Sequence, residues 1–199
     1  SVLYRVINEL LGKENISSYS IPQLTDKQKG EYYTINLINK LLNYCSDTKG
    51  AFDDTGIFKQ LVSGEKVTGR HPAVRSVEFD NNAKFIFNVN QLPSNPENVH
   101  EFFRSFEIID FTVTIPDEKK DRQLHTKIID NELSGVFNWI LEGLNRLLAN
   151  KSLTYCRANK EDLERFKIKG NNVMEFIDEE GFQIVQNIEE GIVFNTLFQ

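Results

Sequence analysis

Three polar side chains stand where apolar stretches of this sequence begin or end. LLNYCSD, 41–47, is apolar through Leu42 and Tyr44–Cys45 and then reaches Ser46 and Asp47. KFIFNVNQLP, 84–93, carries Phe85, Ile86, Phe87 and Val89, stops on Asn90 and turns at Pro93. Arg104 stands just before FEIIDF, 106–111. A carboxylate at a strand tip can hold a magnesium ion or orient a water. An amide at a neighbouring tip can hydrogen-bond that water or a terminal phosphate, and an arginine nearby neutralises charge on a transferring phosphoryl group. Nucleotide hydrolysis needs this trio once another element grips the phosphates. Each member also has an ordinary reading. Asp47 and Asn90 suit turns and helix caps, and Arg104 suits a solvated helix. No GxxxxGK[ST] phosphate loop occurs in the sequence.

Ligands of open α/β sheets bind beyond the carboxyl ends of the strands, so the chain must supply strands and helices to cover them. Val2, Leu3, Val6, Ile7, Leu10 and Leu11 share one helical face, and Gly12 can stop that helix. Residues 13–30 read as loop with a short strand, Glu31–Asn39 as a helix, and 40–47 as a buried strand. Asp53 and Asp54 can cap a helix carrying Phe58, Leu61 and Val62 and ending at Gly64. Residues 67–79, with Gly69 and Pro72, suit a hairpin or exposed loop. A strand covered on both faces follows at 84–89, then a short helix around His100–Arg104 and a third strand at 106–111. Residues 111–124 read as loop running into a charged helix.

LSGVFNWILEGLNRLL, 133–148, is the clearest helix. Val136, Phe137, Ile140, Leu141, Leu144, Leu147 and Leu148 make its apolar stripe, which places Phe137 and Trp139 in the core rather than on a base-stacking platform. Lys160–Phe166 and Asn171–Ile177 read as shorter amphipathic helices. The whole predicts a mostly parallel α/β sheet flanked by helices, then a helical part. The shift near 150–158 divides a core at 1–150 from an extension at 151–199.

With 199 residues, 40% hydrophobic and 26% charged, the chain can fill a real core. Its net charge of −6 excludes a surface that attracts nucleic acid everywhere. Between Lys59 and Arg75, however, four bases (Lys59, Lys66, Arg70 and Arg75) face the single acid Glu65, a local net of +3 to which His71 can add. Such a run is a solvated loop or a phosphate-tracking patch. Two cysteines, Cys45 and Cys156, make neither a disulfide framework nor a zinc site, which suits a reducing cytoplasm. His71, His100 and His125 are too scattered for a metal site. No apolar run approaches the roughly 20 residues of a membrane span, and the first residues lack the features of a signal peptide.

KQLVSGEKVTGR (59–70), KFIFNVNQLP (84–93), FFRSFEIIDF (102–111) and ELSGVFNWILEGLNRLL (132–148) occur in the order and spacing of the phage and plasmid primase–helicase family. Its C-terminal module resembles the poxvirus primase-helicase and belongs to the superfamily 3 helicases. The resemblance implies an AAA+-like P-loop NTPase core, hexameric around DNA, using ATP and Mg2+ to drive strand translocation at replication forks. It implies that Ser1 is the last residue of the Walker A loop, with its hydroxyl on magnesium and the rest of the loop upstream in a longer parent. The 199-residue chain alone is then expected to hold no ATP or Mg2+ and to be inactive.

Asp47 resembles the acidic position of the second nucleotide motif, although Thr48 stands where many relatives carry a second acid. Asn90 matches the sensor asparagine of an N-x-x-P signature. Arg104 matches the first of two consecutive arginines, of which the second is the usual finger; here that is Ser105, so Arg122 is an alternative to Arg104. The family's DNA-contacting hairpin falls in the region of Lys59, Lys66, Arg70, His71 and Arg75, and a winged-helix segment often starts near 171. The expectation is a piece of an ATP-dependent primase–helicase for phage, prophage or plasmid replication in the bacterial cytoplasm. Its partners would be single- or double-stranded DNA and further copies of itself, with no membrane. The alternative is a non-catalytic oligomerisation or DNA-binding module of a replication initiator, favoured by Ser105, the lone Asp47 and the missing loop.

Overall fold

α1 (Val2–Leu11) buries Val6 and ends as its spacing predicts: Gly12 takes φ 85° and donates its N–H to Asn8. In this computed structural model residues 1–46, 52–89 and 106–169 are described, without the side chains of Ala158 and 165–169. Asp47, Asn90, Arg104, Ser105 and the helices expected around 100–104 and 171–177 lie outside the described residues.

After α1 comes β1 (Ile16–Ser17), only two residues long. α2 (Ile21–Thr25) forms where the sequence pattern suggests loop. Its start is a capping box: Ser20 accepts from the Gln23 backbone, Gln23 accepts from the Ser20 backbone, and Pro22 sits in the first turn, where a missing N–H costs nothing. Asp26 then accepts from the backbone N–H groups of Lys29 and Gln28, which hold its carboxyl below the usual range. That turn leads into α3 (Gly30–Thr34) and a 3-10 turn over Ile35–Leu37. β2 (Leu42–Ser46) follows. α4 (Thr55–Ser63) has the expected caps: Asp54 accepts from the Ile57 N–H at 3.0 Å, and Gly64 is left-handed at φ 75°.

β3 (Lys66–Gly69) and β4 (Val77–Asp80) pair antiparallel from Lys66↔Asp80 to Gly69↔Val77, forming a separate ribbon. Its turn end is held against α3. Thr34 Oγ1 donates to Thr68 O at 2.8 Å, and the Arg70 N–H donates to Glu31 O at 3.0 Å. A Cβ on Gly69 would lie 2.7 Å from Ile35 Cα and 2.8 Å from Ile35 N, so only backbone movement could admit it. Gly69→Ala is therefore expected to cost about 1–3 kcal/mol, as overpacking does. A urea midpoint equal to that of the unmodified protein would show that ribbon and α3 are not packed this closely.

β5 (Lys84–Asn88) completes a parallel sheet in the order β1-β2-β5. The register runs from Leu42↔Lys84 to Ser46↔Asn88. Alternation along the strands sorts the core onto two faces. Tyr44 and Leu42, with Ile86 beside them, meet Tyr4, Ile7 and Leu11 of α1. Phe85 and Phe87 meet the α2 and α4 side, where Leu24, Leu37, Leu61 and Val67 form one buried cluster and Ile21, Phe52 and Phe58 another. β5 is an edge strand among the described residues. Phe85, Ile86 and Phe87 are accordingly half-buried rather than covered on both faces as expected.

Two further expectations are corrected. Residues 106–111 form no strand. They keep a strand's alternation: Phe106 and Ile108 pack on the Phe52–Phe58 cluster while Ile109 and Phe111 are exposed. What they lack, among the described residues, is a ladder partner. The Ile108 N–H instead donates to Asn159 Oδ1 at 3.1 Å.

The long helix α5 (Leu124–Asn150) begins well before 133, and its stripe is not core. Phe137 is 47% exposed and Trp139 69%. α1 packs against this helix, with Arg5 Nη1 2.6 Å from His125 Nε2 near its first turn. Farther along, the stripe borders an apolar groove of about 990 Å³ shared with 107–112 and 152–162. α6 (Arg157–Lys169) closes the described chain, and its Leu163 packs on the Ile21–Phe52–Phe58 cluster.

Candidate functional site

Parallel pairing of β2 and β5 brings their carboxyl ends to one edge of the sheet, with Ser46 opposite Asn88. Tyr44 lies two residues back on β2, fully buried. A buried phenol needs a hydrogen-bond partner, and this one has two neighbours. Asn88 Nδ2 donates to Tyr44 Oη at 2.7 Å, and Ser1 Oγ lies 3.3 Å from the same oxygen. Ser1 occupies the N-cap position of α1, yet its side chain makes no capping bond. Its hydroxyl is turned to the strand ends instead. The start of α1, the end of β2 and the end of β5 therefore meet at one point. In the sequence Asp47 directly follows Ser46, and Asn90 follows Asn88 by two residues.

Of the residues singled out for chemistry, Ser1 is thus placed at the strand ends. Tyr44 and Asn88 join it there and were not anticipated. The available signal was polarity inside apolar runs: a tyrosine in LLNYC and an asparagine in FIFNV.

The basic run divides into parts with different surroundings. Lys59 is half-buried on α4, and Lys66 is exposed at the start of β3, opposite Asp80. Arg70 is engaged where the ribbon enters its turn: its Nε lies 3.0 Å from Glu31 Oε2, and its guanidinium sits 4.9 Å over the Tyr32 ring. His71 and Arg75 belong to the tip, where residues 71–78 are all exposed. β4 adds Glu78 and Asp80, so the ribbon's root is mixed in charge and its positive character concentrates between His71 and Arg75. No ion pair involves Lys59, Lys66, His71 or Arg75 among the described residues.

Among the described residues, no group of three or more His, Cys, Asp or Glu could hold a metal ion by itself. No helix among them is long and apolar enough to cross a membrane.

The mixed α/β fold, a small parallel sheet with helices, is similar to a solved structure described as the A form apo structure of NrS-1 C terminal region-CTR. The TM-score is 0.51 at 16% identity, over 99% of this chain and 47% of that one. A second, NrS-1 C terminal region-CTR(305-718), matches with a TM-score of 0.40 at 17% identity, over 66% of this chain and 30% of that one. This chain spans less than half the length of either. A family model described as "Family of unknown function (DUF5906)" matches residues 1–104, and the chain belongs to that family. No curated protein matches.

Proposed function

We propose that this chain forms part of the ATPase core of a superfamily 3 type primase–helicase, an AAA+-like motor that acts on DNA in replication. The observation that carries the reading is the meeting of Ser1, Tyr44 and Asn88 at the shared carboxyl edge of β2 and β5. That edge is where open α/β sheets bind ligands. α1 starts there, and a ten-residue helix offers its first backbone N–H groups and positive dipole end to an anion.

The residues suit a magnesium nucleotide. Ser1 has a hydroxyl that caps nothing, and the carboxylate of Asp47 is next in line after β2. These two would hold the metal, which would neutralise phosphate charge. Asn90 would orient the attacking water against the γ-phosphate. Arg104 or Arg122 would supply positive charge to a neighbouring copy's site in a hexameric ring. Tyr44 and Asn88 act one step back, fixing Ser1 relative to the two strands. The exposed ribbon tip, with His71 and Arg75 and with Lys66 and Lys59 behind it, would meet the DNA backbone, while Arg70 anchors the ribbon to α3. A phage, prophage or plasmid protein working in the bacterial cytoplasm fits this reading.

The test uses a parent protein that includes a phosphate-binding loop ahead of Ser1. It is expected to hydrolyse ATP with magnesium, faster with single-stranded DNA. Asn90→Ala should lower kcat by about 100- to 1000-fold, the usual cost of losing one preorganised polar group at a reacting centre. The 199-residue chain alone should show no turnover. Turnover by the chain alone, or an Asn90→Ala parent with unchanged kcat, would overturn the reading. Ser105 at the expected finger position favours a second one, a non-catalytic DNA-binding module of a replication initiator. A parent that binds DNA without hydrolysing ATP would select it.

A further inference from the structure

A second cavity, of about 570 Å³, lies along β1. β1 is an edge strand of its sheet among the described residues, so no ladder closes this side. Ser17, Ser18, Tyr19 and Asn36 give it polar walls, and among the described residues that line it the ionisable bases are Lys40 and His71. No aspartate or glutamate is among the described residues that line it, in a chain whose acids outnumber its Lys and Arg by 29 to 23. Lys40 is held in place from behind, where its ammonium donates to the Glu14 backbone carbonyl. An ammonium has three donors, so donors remain for a ligand. His71 belongs both to this cavity and to the exposed ribbon tip. The Arg70–Glu31 and Thr34–Thr68 contacts beside the ribbon's turn fix that shared position. His71 therefore joins the exposed tip to the cavity.

We infer that the Lys40–His71 cavity beside β1 binds a backbone phosphate of the nucleic-acid strand that the ribbon engages. The inference rests on the proposed role of the ribbon and extends it to residues outside the basic run. A phosphodiester is the fitting ligand: a single negative charge with acceptor oxygens, set against bases, hydroxyls and an amide. The ribbon tip alone offers only His71 and Arg75. The cavity adds a second point of contact, and with it a direction for the strand across the molecule, from the tip past His71 towards Lys40.

The experiment is an anisotropy titration of a labelled oligo(dT) single strand with the 199-residue chain over a series of salt concentrations. Unmodified protein, Lys40→Gln, Lys40→Arg and Arg75→Gln are compared, each checked for folding by circular dichroism. Lys40→Gln is expected to weaken binding about three- to tenfold and to reduce the slope of log K against log salt by about 0.7, the contribution of one single-strand phosphate contact. Lys40→Arg should restore both, and Arg75→Gln should also weaken binding. If Arg75→Gln weakens binding and Lys40→Gln leaves affinity and slope unchanged, the cavity inference falls and the ribbon reading stands. If the unmodified chain does not bind, or neither variant matters, both fall. Calorimetry with inorganic pyrophosphate distinguishes the other source of phosphate. Lys40-dependent pyrophosphate binding, with DNA affinity unaffected by Lys40→Gln, would assign the cavity to a free phosphate compound and overturn the inference.

Discussion

Phe58→Ala is expected to remove about 3–5 kcal/mol of stability, the usual cost of emptying a buried aromatic site. Small domains have about 5–15 kcal/mol in total, so the variant should sit close to its unfolding threshold. Phe58 is 2% exposed. Its ring meets Phe52 edge-on at 5.0 Å and stacks on Phe106 at 5.3 Å with 10° between the planes. Phe85 and Phe87 lie 6.4 and 6.5 Å away on β5. One side chain therefore joins α4, the sheet and the 106–108 segment. Removing it leaves a cavity that neither the sheet nor α4 can close without losing other contacts. A urea titration followed by circular dichroism reads the effect as a lower midpoint at similar slope. A loss below about 1 kcal/mol would mean that the site collapses freely, contrary to the packing described.

Asn43→Ala is expected to cost about 3 kcal/mol or more, through polarity rather than volume. Asn43 is fully buried. Its Oδ1 accepts from Ser17 Oγ at 3.0 Å and from the Tyr19 N–H at 2.9 Å, and its Nδ2 donates to Tyr19 O at 2.8 Å. Those three bonds hold the chain after β1 against β2, where only two residues of ladder do so otherwise. Truncation removes all three bonds, at about 1 kcal/mol each, and leaves the buried Ser17 hydroxyl without its acceptor. The Ser17→Ala and Asn43→Ala changes remove the same hydrogen bond, so their effects should not add. A double-mutant cycle that came out additive would show that the amide network is not a unit.

Much of the frame is legible in the sequence, because local physics sets it. Asp54 and Gly64 bracket α4 as their cap chemistry requires, and the apolar face of α1 stops at Gly12. α2 was legible too, in the spacing of Ser20 and Gln23, but Pro22 reads first as a breaker; only its place in the first turn makes it compatible with helix. Residues 106–111 have the period of a strand, yet period does not say whether a neighbour is there to pair. The stripe on α5 predicts a helix correctly, but nothing in the stripe specifies what lies against it. For the site, strands over 40–47 and 84–89 were legible and β2 and β5 lie within them, whereas Ser1 was expected there only from the family resemblance. The bridge through Tyr44 was not legible, since it depends on the register of two strands whose paired residues are 42 apart in the chain. The ion pair that occupies Arg70 likewise depends on where α3 lies.

Trp139 is the sole indole of the chain, and it stands in solvent on α5, away from the three buried clusters. Its emission is therefore expected to be that of a hydrated indole before unfolding as well as after, with little change to report when the core around Phe58 comes apart. A fluorescence melt and a circular-dichroism melt of this chain would then part company even where unfolding is all-or-none. Their disagreement should not be taken for an intermediate. The same insensitivity makes the indole a quiet baseline: a blue shift on adding another molecule would signal something settling on the α5 stripe itself.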